Sequence, residues 1–465
     1  MLQQLLRTIA MVAISTRSLF AQSEPKAWKV DEVQQILKQR VDVDKQCIGI
    51  AVGIIDSKGN QFIGYGSLSK NAAPVKPNAD TVFEIGSATK VFTTLLLADM
   101  VGRGEVALSD PASKYLPKTV SMPKFEGREI TLLDLATHTS ALPSLPDNFA
   151  PADGLNPYAD YTVEQLYAAL SNCKLTRAIG KQYEYSNLGM GLLGHILALR
   201  AGVDYENLVV DRITKPLGMK DTSIALTGEM KKRLAFGHSD TLEEVKNWDL
   251  PTLAGAGALR STVGDMVKFV EANMGKTASK LSDAMALQAE TRFPAGATNL
   301  SIALGWHKLR STAGEITWHN GQTGGYHSFV GFDKTRGVGV VVLANTAADI
   351  DDIGLHVLDR GLPLRKIVAK KERTAIEVDP KILETYVGEY ELVPTFVITI
   401  TKEGNQLKLQ ATGQPKFEIS AEAETKFFLK VVEAQITFLK DGKGKVTELI
   451  LHQGGADQPA KKRAR

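Results

Sequence analysis

Strand-like segments stand far apart in this chain with a long helix-rich interval between them, and that order narrows the available folds more than any other feature. Ile48 to Ile55 and Gln61 to Gly66 are apolar runs joined by Asp56-Ser57-Lys58-Gly59-Asn60, whose Gly and Asn suit a tight turn, so they read as a β-hairpin. Strand patterns return at Ile316 to His319, Tyr326 to Phe332 and Val338 to Leu343. The middle, from about Leu108 to Gly275, carries helical periodicity broken by Pro, Gly and Asn loops. The two ends must therefore meet in one sheet, with the middle inserted as a helical subdomain and a cleft between the two parts. The expectation is an α/β unit: a mixed antiparallel sheet with an inserted helical subdomain.

After Leu343 the pattern changes. Residues 361–380 are rich in charge and read as a linker. Beyond it come short alternating runs, Phe396 to Thr401, Gln406 to Leu409, Lys416 to Ile419, Lys426 to Lys430, Ala434 to Leu439 and Val446 to Leu451, parted by turn residues such as Gly404-Asn405 and Asp441-Gly442. This predicts a separate all-β barrel over 381–465. At the other end, Arg7, the apolar stretch Ile9 to Ile14 and Ser18-Leu19-Phe20-Ala21 have the parts of a signal peptide, which places the leader at 1–21 and the α/β unit at 22–360. An exported, periplasmic or secreted protein follows. No other apolar run reaches the roughly 18–20 residues needed to span a bilayer, so no membrane span is expected.

The net charge of +3 owes six cations to the leader (Arg7, Arg17) and the tip (Lys461, Lys462, Arg463, Arg465); without those six the body stands at −3. Such a body is a poor nucleic-acid binder, and the basic tip reads as a frayed terminus. Cys47 and Cys173 are far apart and outside any C-x-x-C motif, which excludes a redox pair of that type and leaves a bridge between them open.

The pattern S-x-x-K occurs at Ser23, Ser67, Ser87, Ser121 and Ser171, so by itself it selects nothing. Only Ser87 follows a strand-like run, Val82 to Gly86, and opens an apolar helix containing Val91, Phe92, Leu95, Leu96, Leu97 and Met100. There free backbone N–H groups favour a developing negative charge, and Lys90, three residues on, comes round to the same face. A serine hydroxyl is a weak nucleophile until a neighbour takes its proton. A neutral Lys90 could do so, and a tyrosine beside it could share the task as phenolate or shuttle. Tyr185-Ser186-Asn187 lies at the end of a polar loop before another apolar helix, whereas Tyr205-Glu206-Asn207 reads as part of an ordinary amphipathic helix. His319-Asn320-Gly321-Gln322-Thr323-Gly324-Gly325 leaves a strand and turns on glycines, letting backbone approach a ligand closely. The backbone N–H of Gln322 could there join that of Ser87 as an oxyanion hole. His138 reads as a residue that holds a loop together, and Trp306 and Trp318 as core or cleft wall. No H-E-x-x-H or cysteine pair supports a metal site, and no cofactor is expected. The absence of G-x-S-x-G argues against the α/β-hydrolase route to an esterase.

Taken together, Ser87-Ala88-Thr89-Lys90, Tyr185-Ser186-Asn187 and His319-Asn320-Gly321 resemble the three active-site motifs of the penicillin-recognising serine hydrolases, a group that includes class C β-lactamases, D-alanyl-D-alanine peptidases and related esterases. Leu135 to Pro143, Pro216 to Met219 and Gly255-Ala256-Gly257 followed by Ser261 to Asp265 support the resemblance, which covers about Val30 to Ala347. The tail, with Tyr386-Val387-Gly388-Glu389-Tyr390, resembles the lipocalin-like domain often fused to that family. The resemblance implies a β-lactamase/transpeptidase-like fold, with Ser87, Lys90 and Tyr185 catalytic and Asn187, His319, Gly321 and Gln322 binding substrate. It implies turnover of β-lactams or D-alanyl peptides; the alternatives are a carboxylesterase of the same family and a penicillin-binding module that acylates without turnover. Two departures stand out. Ala141 occupies a position where glycine is frequent, and His319 stands where β-lactamases carry a lysine that attracts a substrate carboxylate; an ordinary histidine is mostly neutral at pH 7.

Overall fold

The structure, a computed structural model, describes residues 27–367, 373–393, 396–412, 416–430, 434–453 and 456–463. The expected leader, 1–21, lies outside the described residues, as does the centre of the expected linker.

In chain order the first unit holds β1 (Gly49–Asp56), β2 (Gly59–Gly66), β3 (Val82–Glu84), the hairpin β4 (Lys124–Phe125) and β5 (Arg128–Glu129), β6 (Arg260–Thr262), β7 (Phe293–Pro294), β8 (Leu300–Ile302), β9 (His307–Arg310), β10 (Glu315–Gln322), β11 (His327–Asp333) and β12 (Val338–Ala344). Eight of them form one sheet in the order β2-β1-β12-β11-β10-β9-β8-β7. Neighbours pair antiparallel, and β1 meets β12 with Val52 opposite Val342, so the distant ends of the unit do join.

Both faces of the central strands are covered, and the strand period of two sorts their side chains. Ile50, Val52 and Ile54 with Val340 and Val342 pack under the helices Val30–Lys38 and Asp351–Leu358, beside Val33, Leu37, Ile353 and Val357. Ala51, Ile55, Val341 and Leu343 point the other way, into the larger core shared with the helical subdomain. Gly53 lets the helix Val263–Met274 lie close: a Cβ there would stand 2.6 Å from Val267 and 2.7 Å from Val263.

The helix Thr89–Gly102 runs through this larger core and is buried on every side from Thr89 to Met100. Its polar side chains find partners inside: Thr94 Oγ1 donates to the Leu304 carbonyl at 2.9 Å, and Thr93 Oγ1 lies 2.7 Å from the Tyr205 hydroxyl. Tyr205 is thus a core residue, as read from its helix. Trp306 is fully buried against Phe269 and Phe332, while Trp318 stacks on Phe329 in the opposite core, so the two tryptophans are packing residues rather than cleft wall.

The C-terminal unit is a closed antiparallel barrel of eight strands: β13 (Gly388–Val393), β14 (Phe396–Glu403), β15 (Gln406–Ala411), β16 (Lys416–Ala423), β17 (Lys426–Leu429), β18 (Ala434–Lys440), β19 (Val446–Gln453) and β20 (Ala456–Lys462). The six alternating runs of the sequence correspond to β14 to β19; the first and last strands were not legible as such. β20 is short of apolar residues, yet it closes the barrel with Lys462 opposite Tyr390 and Lys461 opposite Glu391. The basic tip is therefore a strand up to Lys462, not a frayed end, because backbone pairing to two neighbours fixes it whatever its outward side chains. Inside, Tyr390, Ile398, Ile400, Leu407, Ile419, Phe427, Ile436, Phe438 and Leu449 form the core. The helix Pro380–Tyr386 adds Tyr386, whose ring stacks on Phe438 at 4.2 Å between centroids.

Candidate active site

Ser87 sits in a single 3-10 turn, Gly86–Ala88, just before the helix Thr89–Gly102. Gly86 has φ +48°, a left-handed conformation that lets the chain turn sharply out of β3. The end of β10 closes on this turn so tightly that two glycines are needed. A Cβ on Gly86 would stand 2.8 Å from the backbone nitrogen of Gln322, and one on Gly321 would stand 2.0 Å from the Ile85 carbonyl oxygen. Ser328 on β11 ties the same carbonyl with its hydroxyl at 2.7 Å. Gly321 thus works as absent side chain: it brings the Gln322 backbone beside Ser87.

Lys90 is wholly buried, and its Nζ lies 2.8 Å from Ser87 Oγ, 2.8 Å from Asn187 Oδ1 and 2.7 Å from the Ala256 carbonyl oxygen. Burial holds its ammonium far below the ordinary lysine value. No carboxylate offsets this, since its partners are a hydroxyl, an amide and a peptide carbonyl. Ser87 itself is partly exposed, so a ligand could reach the hydroxyl while the amine behind stays dry.

Tyr185 comes from the loop before the helix Asn187–Ala201. Its ring lies 4.8 Å from Lys90 Nζ, and Ser87 hydrogen-bonds its phenol. Burial, reinforced by Tyr183 and Tyr158, pushes that phenol well above its ordinary value, so it is a neutral O–H at pH 7. The loop is shaped from below by His138. Its Nδ1 accepts the Ser186 N–H at 3.1 Å, its carbonyl accepts the Glu184 N–H at 2.8 Å, and its ring lies 4.5 Å from that of Tyr185. His138 and Ala141 both have left-handed φ, +57° and +65°. The frequent glycine at position 141 has a plain reason: the backbone there suits a residue without a Cβ.

All seven sequence-derived residues thus lie around one turn, but two differ in detail from expectation. Asn187 has its Oδ1 occupied by Lys90 and its side chain bonded to Tyr158, so its amide is committed within the protein. His319 is completely buried; its Nδ1 lies 2.5 Å from the Asn320 carbonyl oxygen, and its ring stands 6.4 Å from Tyr185 and 5.2 Å from His307. Burial next to His307 and Lys90 drives its pKa far down. His307 is held at about 4 by burial and by Lys90, and its Nε2 meets the Tyr183 hydroxyl at 2.9 Å.

Sequence reasoning missed His307, Tyr183 and Tyr158 as neighbours of the site and the Ala256 carbonyl as a ligand of Lys90. Only the last left a trace: the small residues Gly255-Ala256-Gly257 permit close approach, with a Cβ on Gly255 falling 2.8 Å from the Cα of Gly194. As to metals, His327, Asp349 and Asp351 are the one group of ligand-type side chains close enough together among the described residues. Each already has a protein partner: His327 Nε2 meets Asp351 at 2.9 Å, Asn320 Nδ2 donates to Asp351 at 2.6 Å, and Arg365 donates to Asp349 at 2.8 Å.

The family model described as Beta-lactamase matches residues 33–356, and a Domain of unknown function (DUF3471) matches 372–462. The chain belongs to the Beta-lactamase family. It is 36% identical over 229 residues to the D-alanyl-D-alanine-carboxypeptidase/endopeptidase AmpH of Escherichia coli, an alignment covering 48% of this chain and 56% of that protein. It is also 27% identical to a beta-lactamase of Pseudomonas fluorescens over 68% of this chain and 92% of the other. Among solved structures, a Beta-lactamase/D-alanine Carboxypeptidase from Yersinia pestis complexed with citrate superposes with a TM-score of 0.63 at 26% identity, covering 71% of this chain and 96% of that one. Among the described residues no helix is long and apolar enough to cross a membrane.

Proposed function

We propose that this protein is an exported serine hydrolase that works through an acyl-enzyme on D-alanyl peptides or β-lactams, with Ser87 as nucleophile. The observation that carries the reading is a fully buried lysine amine 2.8 Å from a partly exposed serine hydroxyl. A neutral amine has two N–H donors and one lone pair. Asn187 Oδ1 and the Ala256 carbonyl take the two donors, leaving the lone pair for the Ser87 O–H.

As Ser87 Oγ attacks the carbonyl carbon, its proton passes to Lys90 Nζ. The carbonyl becomes an oxyanion against the backbone N–H groups of Ser87 and Gln322, each such donor being worth about 100–1000-fold in rate. The neutral Tyr185 phenol gives its proton to the leaving nitrogen or oxygen and is reprotonated from Lys90, so the acyl-enzyme forms with no net change in proton count. Water then adds by the reverse route and frees Ser87. Tyr185 acts here as a shuttle, not as a resting phenolate, because burial opposes its ionisation. For the tail we propose a lipocalin-like barrel, on its eight consecutive antiparallel strands.

Purified protein should be assayed with nitrocefin, a D-alanyl-D-alanine peptide and p-nitrophenyl acetate, beside Ser87→Ala. Turnover or a persistent acyl adduct that vanishes in the variant, with circular dichroism unchanged, is the expected result. Equal turnover by Ser87→Ala would remove the assignment, and ester turnover orders of magnitude above the others would make it a carboxylesterase.

A further inference from the structure

The polar side chains of β10 at the mouth are already committed, and none brings a positive charge. His319 Nδ1, facing the Asn320 carbonyl, carries the ring proton and donates it, which leaves Nε2 a bare acceptor, buried and without a partner. Asn320 is tied to Asp351, and the Gln322 amide donates to the Ala347 carbonyl at 2.8 Å. Past them lie the carboxylates Asp349 and Asp351, with Arg365 bonded back onto Asp349.

Behind Ser87 the pattern is the same. Lys90 has no charged partner, and His138 and His307 are neutral for the same reason of burial. The ionisable groups around Tyr185 are Lys90, 4.8 Å from its ring, His138, Tyr183 and Tyr158, and those that act on His138 are Lys90 and His307. Among these described residues, the side chains around Ser87 therefore offer lone pairs and hydrogen-bond donors, and the one amine, Lys90, is buried with its contacts taken by Ser87, Asn187 and Ala256. A carboxylate entering beside the scissile bond would give up its hydration and meet no free cation among these groups in return.

We infer that the leaving half of the natural substrate carries no free carboxylate next to the scissile bond: it is an internal peptide bond, an amide or an ester, rather than a C-terminal D-amino acid. This rests on the acyl-enzyme reading and narrows it. A C-terminal D-alanyl-D-alanine acid and a β-lactam both bring a carboxylate to that side, and both are poor fits to this cleft, whereas the same peptide continued or capped at its C-terminus is a good one.

The test pairs diacetyl-L-lysyl-D-alanyl-D-alanine with its C-terminal carboxamide on the full chain at pH 7.5. Each is measured as a substrate and as a competitor that slows labelling of the protein by a fluorophosphonate. The carboxamide should give at least a tenfold higher kcat/KM, or at least tenfold better protection if neither is released quickly. Equal values, a preference for the acid, or protection by neither overturns the inference. Labelling that is lost in Ser87→Ala shows that the acyl-enzyme reading stands independently of that outcome; no labelling at all would sink that reading and the inference with it.

Discussion

The β-lactamase-family unit and the barrel bury opposite kinds of side chain at comparable depth around their centres. Around Ser87 the interior holds an amine and three imidazoles: His138, His307 and His319 are neutral at pH 7, and burial holds the Lys90 ammonium well below its ordinary value. Inside the barrel the centre is aromatic, with Tyr386, Tyr390, Phe427 and Phe438 in mutual contact and the tyrosine hydroxyls turned to backbone carbonyls. Charges such as Arg463 with Glu389 and Glu391 stay on the exposed outside of the barrel. Burying an ionisable group is costly unless the group is neutralised, whereas burying an aromatic ring is favourable. Stability alone accounts for the barrel interior; the cleft interior needs a chemical reason.

The largest expected effect tests that contrast directly. Lys90→Met should lower acylation about 10²–10⁴-fold, the usual worth of a positioned base, while leaving the melting temperature unchanged or higher, since an apolar chain replaces a desolvated amine. A fall in both would make Lys90 a structural residue. In the barrel the signs reverse: Phe438→Ala should cost about 3–5 kcal/mol of barrel stability, read as an earlier unfolding transition, with kcat/KM unaltered. Altered kinetics there would couple the barrel to the cleft.

Acid should separate the two regions next. His307 titrates at about 4 in the fold and near 6.5 when unfolded, so the unfolded chain binds more protons between those values. Stability is then fully present above about pH 6.5 and is lost as pH falls toward 4, by about 3 kcal/mol for this group alone. Calorimetry at pH 7 and 4.5 should show the β-lactamase-family unit losing more than the barrel, and His307→Gln should flatten the dependence. No difference would mean that the imidazole is hydrated. The smallest effect concerns Ala141, at φ +65°: Ala141→Gly should raise stability by up to about 1 kcal/mol, because the left-handed conformation penalises a Cβ. A loss of stability would show that the loop depends on the methyl group instead.

Periodicity and order along the chain sufficed for the five long strands of the sheet joined from distant ends, the inserted helices, most barrel strands and the three stretches around Ser87; the short strands β7, β8 and β9 went unread. These are local signals: a strand alternates, a buried helix is apolar all round, and a turn needs glycine. β13 and β20 escaped because their assignment depends on backbone pairing to partners, which side-chain pattern does not encode. His307, Tyr183, Tyr158 and the Ala256 carbonyl come from separate segments, and only packing places them against Lys90 and Tyr185. The sequence by itself determined which groups could react. The tertiary structure decided their protonation and charge, because burial and neighbours, not residue type, set how far each pKa moves: they leave His319 uncharged and hold Lys90 well below an ordinary lysine.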